Sequence, residues 1–257
     1  QTCALPILGI FGVSMASAAL PSISRSAALG DMEQFRRTLS DALAMVFLLT
    51  VPSSLGLVIL GPSVIGAIYQ HGNFTPHATE QTALALSCYS IGLAGYAALK
   101  VLTPAFYALG SARFPTLIGV LSIGVNYGVA HTMISVFGLG HASLALSTSA
   151  VALFGFIVQF IALRAKVGGL HGRELSRRLV RIGLASAAMG IVAYGSTTAM
   201  RAWLGISQGA RIADVVVSVP LGLAVYYSMC RLLKLTEIDL ALRAFTGPLK
   251  RLAGRFV

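Results

Sequence analysis

Charge is what this sequence has least of. Asp, Glu, Lys and Arg make up 11% of the 257 residues, where a soluble domain carries roughly 25%. With 56% hydrophobic residues, too little polar surface is left to cover a globule in water, so lipid must be part of the solvent. Acids are scarcer than bases, 8 against 19, for a net charge of +11. On a soluble protein that excess would point to nucleic acid; here the bases fall between apolar runs rather than on one basic face, which excludes nucleic acid as a partner. The three cysteines, Cys3, Cys88 and Cys230, are far apart and lack CxxC spacing. They form no disulfide or metal framework and read as small packing residues. His71 and His77, without carboxylate or thiol partners, do not make a metal site. There is no nucleophile–base pairing, no phosphate-cradling glycine loop and no Walker motif, so neither covalent catalysis nor ATP is implied.

An initiator methionine is also missing, and no basic region precedes the first apolar run, so no signal peptide is expected in these residues and the sequence is expected to be a fragment. Gln1-Thr2-Cys3-Ala4-Leu5-Pro6-Ile7 matches the in-frame translation of a common sequencing adapter. We expect natural sequence to begin near Leu8; codons other than CAG-ACG-TGT-GCT-CTT-CCG-ATC in the gene would refute this.

What the chain does have is apolar runs. A bilayer core of about 30 Å needs about 20 helical residues. Spans are expected at Leu8–Ile23, Ala42–Leu60 (stopping at Gly61-Pro62) and Thr82–Leu109 (interrupted by Lys100 and Pro104). From Phe114 to Leu163 there is no charged residue; one helix over that stretch would be about 75 Å long, too much for a single crossing. The breaker Phe137-Gly138-Leu139-Gly140-His141 divides it into Pro115–Val136 and Ala142–Leu163. Ile182–Met200 and Ile212–Cys230 complete the set, the latter with Asp214 near its start. Backbone groups in hydrocarbon must be satisfied within each segment, so the fold class is all-α, a polytopic membrane protein of about seven transmembrane helices.

The connections support that count. In chain order they carry three bases (Arg25, Arg36, Arg37), none, one (Arg113), none, six (Arg164, Lys166, Arg173, Arg177, Arg178, Arg181) and two (Arg201, Arg211), with six more in the tail. Alternate connections therefore hold sixteen on one side against two on the other, with Lys100 inside a span. The positive-inside rule puts the rich side, and the C-terminus, in the cytoplasm. The stretch from Gly30 to Leu39 reads as a short amphipathic helix at the interface, with Asp31 near its N-terminus. The tail from Thr236 to Val257, with Ile238, Leu242, Phe245, Leu249 and Leu252 at helical spacing among bases, is expected to rest on anionic headgroups, broken at Gly247-Pro248.

Several separated motifs then occur in order: Leu8-Gly9-Ile10-Phe11-Gly12-Val13; Leu20-Pro21-Ser22-Ile23-Ser24-Arg25 with Gly30-Asp31; Tyr69-Gln70-His71-Gly72-Asn73-Phe74-Thr75; and Lys100-Val101-Leu102-Thr103-Pro104-Ala105-Phe106-Tyr107 with Pro115. Together they resemble the MurJ/MviN lipid II flippases, over roughly Leu8 to Leu163. The resemblance implies a fourteen-helix exporter fold of the multidrug/oligosaccharidyl-lipid/polysaccharide superfamily. Residues 8–163 would be second-lobe helices (eight to twelve of the family), 164–181 a basic cytoplasmic loop, 182–232 the terminal helix pair and 233–257 an amphipathic cytoplasmic tail. The implied function is movement of the lipid-linked peptidoglycan precursor across the bacterial inner membrane by alternating access: transport, not enzymatic catalysis. The implied partners are that precursor, membrane lipids, the missing N-terminal lobe and cell-wall synthesis proteins. No cofactor is implied, and whether an ion gradient or the membrane potential drives the cycle stays open. The alternatives are an exporter of another undecaprenyl-linked oligosaccharide and a non-transporting scaffold.

The resemblance places the main headgroup-binding charges in the absent lobe and just upstream of Leu8, including an Asp-Arg pair. Within this chain the pathway candidates are Lys100, Asn126, Arg25 and Arg113. Lys100 is the one charge deep in a span and must face a cavity, a partner or, by snorkelling along its stem, the interface. Asn126 matches a position where some family members bind sodium with an acidic residue one turn on; Ala130 stands there here, and interhelical hydrogen bonding is the simpler role. His131 reads as a packed or cavity-wall residue. The small-residue runs Ser14–Ala19 and Ser143–Ala152 permit close helix packing. Pro52 and Pro104 are expected kinks, available as hinges.

Overall fold

The protein is described by a computed structural model covering residues 19–69, 75–136, 138, 140–170, 172–205, 207–235 and 238. The expected adapter-like residues, the small-residue run before Ala19, the loop residues 70–74 and nearly all of the tail lie outside these. Residues 19–28 are helical, the end of the expected first span. Six helices follow: α1 (Met32–Tyr69), α2 (Pro76–Ala108), α3 (Arg113–Ser135), α4 (Ala142–Lys166), α5 (Gly172–Leu204) and α6 (Gln208–Leu232). Each is long and apolar enough to cross a bilayer.

The helix ends follow from local chemistry. Asp31 Oδ1 accepts the Gln34 N–H at 3.0 Å before α1. Thr75 caps α2 through the Ala78 N–H, with Pro76 in the first position where a missing N–H costs nothing. Ser207 caps α6 through Ala210. At the end of α2, Gly110 takes φ +66 and the Ser111 N–H returns to the Phe106 carbonyl at 2.9 Å, a closure that only glycine adopts cheaply. Gly138, at φ +63, likewise sits in the expected break between α3 and α4.

Three boundaries differ from those read in the sequence. The stretch 30–39 is not a separate interfacial helix: it is continuous with the second span, because Phe35 and Leu39 are fully buried and continue the apolar face of the membrane segment. Nor does the helix stop at Gly61-Pro62. α1 runs on to Tyr69, about 57 Å in all, with Gly61 packed against Ser87 and Leu86 of α2. The basic stretch 164–181 is mostly helix, ending α4 and beginning α5, with a turn between. Charge alone marked it as a loop, but both helices extend past the apolar spans.

α1 is the hub, packing on α2, α5 and α6; α2 packs on α4, α4 carries α3, and α5 pairs with α6. Chain alternation gathers Met32, Ala108, Arg113, Lys166, Gly172 and Leu232 at one end, here called the basic end. The hydrophobic core lies towards it, built from Phe35, Leu39, Leu43, Leu102, Phe106, Leu163 and Ile182. The turn after α4 is held there: Arg36 Nε donates to the Val167 carbonyl at 2.6 Å, Ser40 to that of Leu170 at 2.9 Å, and Lys166 to Ser111. Arg178 links Asp41 and Glu174, each at 2.6 Å. The α2–α4 seam uses the expected small residues. A Cβ on Gly92 would lie 2.5 Å from Ser149 Cα, and Ser149 Oγ donates to the Cys88 carbonyl at 2.6 Å. α3 is the outlier, with only Pro115 and Ile118 buried.

Candidate functional site

The four pathway candidates are spread over three helical segments. Arg25 lies exposed on the helix before α1, Lys100 exposed on α2, Arg113 exposed at the first turn of α3, and Asn126 half-buried in mid-α3. Among the described residues, none of the four is hydrogen-bonded or ion-paired to another. Lys100 does not run free: its Nζ lies 4.7 Å from the Tyr96 ring centroid one turn earlier, a cation–π contact. Three residues on, Thr103 Oγ1 donates to Gln159 Oε1 at 3.1 Å, with Gln159 buried on α4. Lys100 stands eight residues before Ala108 at the basic end of α2, about 12 Å by helical rise, so both a polar space beside α2 and, along its own stem, the interface are within its reach. Pro52 and Pro104 both lie inside unbroken helix.

Pro52 has a consequence that its sequence position did not reveal. Lacking an N–H, it leaves the Leu48 carbonyl without its helical partner. Tyr226 of α6 supplies one, donating its hydroxyl to that carbonyl at 2.6 Å while only 6% exposed. α6 thus supplies the backbone bond of α1 that Pro52 removes.

A second polar link joins the same helices further from the basic end. Asp214, 2% exposed, accepts Ser63 Oγ of α1 at 2.5 Å on one carboxylate oxygen and Ser218 Oγ at 2.6 Å on the other. Ser218 also pairs with Ser196 of α5 at 2.8 Å. One carboxylate therefore ties α1, α5 and α6 together. Sequence reading placed Asp214 only near the start of a span; its partner Ser63 is 151 residues away, and nothing local signals the contact. Beyond it, Arg211 packs on Gly66, where a Cβ would lie 2.7 Å from the arginine Cδ.

The family model described as "Lipid II flippase MurJ" matches residues 3–213. The chain is 30% identical to the probable lipid II flippase MurJ of Vibrio cholerae serotype O1 over 239 residues, covering 91% of this chain and 44% of that protein. It is 31% identical to the corresponding Thermotoga maritima protein over 236 residues, covering 92% and 45%. A solved structure, "Lipid II flippase MurJ, inward closed conformation", superimposes with a TM-score of 0.62 at 21% identity, over 87% of this chain and 44% of that one. The chain spans just under half the length of the relatives it matches.

Proposed function

Because the chain belongs to the MurJ family of lipid II flippases, we propose that it is the second-lobe and terminal-pair portion of a protein that moves the lipid-linked peptidoglycan precursor across the bacterial inner membrane. The continuous family match over residues 3–213 carries this reading. Carrying a pyrophosphate-bearing headgroup through hydrocarbon needs a cationic, hydrated wall for the headgroup and a lipid-side path for the polyprenyl tail, and no bond need be made or broken. Lys100, held by Tyr96 on the open flank of α2, supplies the cation on this lobe. Arg25 and Arg113 stand at the basic end, which faces the cytoplasm with the C-terminus because sixteen of the nineteen bases gather on that side. Alternating access follows from rocking this lobe against the other, with α5 and α6 moving as part of it through Asp214 and Tyr226.

Complementation tests the reading. The full-length gene should restore growth to a strain depleted of its own lipid II flippase; failure despite normal membrane expression would refute it. Tags at the turn after α4 and at the C-terminus should both react only from the cytoplasmic side, and labelling on opposite sides would overturn the orientation.

A further inference from the structure

At the end of the bundle away from the basic one, a cleft of about 190 Å³ opens between the last turns of α1, the first turn of α2 and the facing ends of α5 and α6. Pro62 and Met200 give it apolar walls; Thr79, Glu80, Arg201 and Arg211 give it polar ones. Arg201 and Arg211 are the two bases that the sequence places on the poorly charged side, and both line this cleft. Internal bonding does not use them up. Asp214, at the floor, has both oxygens taken by Ser63 and Ser218. Arg211 Nη1 is buried with no hydrogen-bond partner. Among the described residues, neither arginine nor Glu80 makes an ion pair. A buried guanidinium N–H without an acceptor is costly, and planar guanidinium groups suit phosphate oxygens.

We propose that this cleft holds the headgroup of a zwitterionic phospholipid with a primary amine, its phosphate on Arg211 and Arg201 and its ammonium on Glu80. The charge set selects that class. A purely anionic headgroup would leave Glu80 opposed to it, whereas an ammonium offers three N–H donors to that carboxylate. A quaternary ammonium has no donor to offer. A lipid fits better than a soluble anion because of what flanks the cleft. Trp203 is 91% exposed and Leu204 52%, beside Arg201 and Gly205, and such side chains lie at the bilayer interface where acyl chains begin.

Trp203 is the single tryptophan among these 257 residues, and in the full-length protein with every other tryptophan replaced by phenylalanine it reports on its own surroundings. That full-length protein is reconstituted in vesicles containing phosphatidylethanolamine, phosphatidylglycerol or phosphatidylcholine brominated on the acyl chains, and quenching of Trp203 gives the relative association of each. Phosphatidylethanolamine should be preferred over the other two by roughly tenfold, the effect of one charge-assisted hydrogen bond. Glu80→Gln, at an exposed position, should erase the preference over phosphatidylglycerol. Arg211→Gln should weaken the association of all three lipids, because each carries the phosphate that the guanidinium holds. Equal quenching by the three lipids in the unaltered chain, or a phosphatidylethanolamine preference that survives Glu80→Gln, would overturn the proposal. So would loss of that preference on adding millimolar inorganic phosphate, which would assign the cleft to a soluble anion. The assay involves no transport, so it stands or fails separately from complementation.

Discussion

Replacing Tyr226 with phenylalanine should destabilise the bundle by about 1–2 kcal/mol, and restoring an N–H at position 52 should cancel most of that loss. The ring stays, so packing is preserved; only the hydroxyl that reaches the Leu48 carbonyl at 2.6 Å is removed. A buried acceptor left unpaired costs about 1–3 kcal/mol in proteins generally. Hydrogen bonds between membrane helices average about 0.6 and reach about 1.7 kcal/mol, so the upper part of that membrane range is expected for a carbonyl that Pro52 deprives of its helical partner. In Pro52→Ala the N–H returns and can close the ordinary bond to Leu48, so that carbonyl no longer depends on the tyrosine hydroxyl. A double-mutant cycle by unfolding in mixed micelles of rising dodecyl sulfate fraction should therefore give a coupling of about 1 kcal/mol between positions 52 and 226. If Tyr226→Phe costs the same with proline or alanine at 52, the pairing of orphaned carbonyl and hydroxyl is not what holds α6 to α1.

Other consequences can be checked in the same way. Asp214→Ala strands the buried Ser63 hydroxyl, leaves Ser218 with Ser196 alone, and should cost about 1–3 kcal/mol; Asp214→Asn, which keeps an acceptor, should cost less, and melting of the two in detergent compares them. Gly92→Ala forces α2 from α4 and should lose about 1–3 kcal/mol, whereas Gly119→Ala on α3, with open space around it, should gain up to about 1 kcal/mol of helix propensity. Arg178→Ala should cost no more than about 1 kcal/mol, because Asp41 and Glu174 are more than half exposed, and the loss should shrink as salt is raised. In the full-length gene, Lys100→Ala should abolish complementation and Lys100→Arg should retain it; normal growth of the alanine variant would remove Lys100 from the pathway.

The membrane class was legible because hydrocarbon tolerates so few exceptions. Fifty residues without a charge, split by Gly138 and Gly140, could only be two crossings, and α3 and α4 begin and end close to where that argument put them. Helix ends outside the apolar zone were harder to read. Arg36, Arg178 and their neighbours mark an aqueous interface in the sequence, yet the helices continue through it because Phe35, Leu39 and Leu175 pack beneath the charges. Gly61-Pro62 has the composition of a stop, but packing against α2 carries the helix onward. The pathway candidates were chosen by chemistry that a sequence displays: a lysine or an asparagine among apolar neighbours. Asp214 and Tyr226 escaped because their importance lies in partners 151 and 178 residues away, and no periodicity encodes a contact that distant.

The central position of α1 also sets an order of assembly. Arg36 of α1 waits for Val167, 131 residues later in the chain, and at roughly 5–20 residues per second a ribosome needs on the order of ten seconds to deliver it. Until then the side of α1 destined for α5 and α6 lacks both partners, and the Leu48 carbonyl lacks the Tyr226 hydroxyl. Variants that weaken this face should therefore be cleared by membrane quality control while synthesis is still under way, and lower yield rather than a lower melting point should be their first symptom.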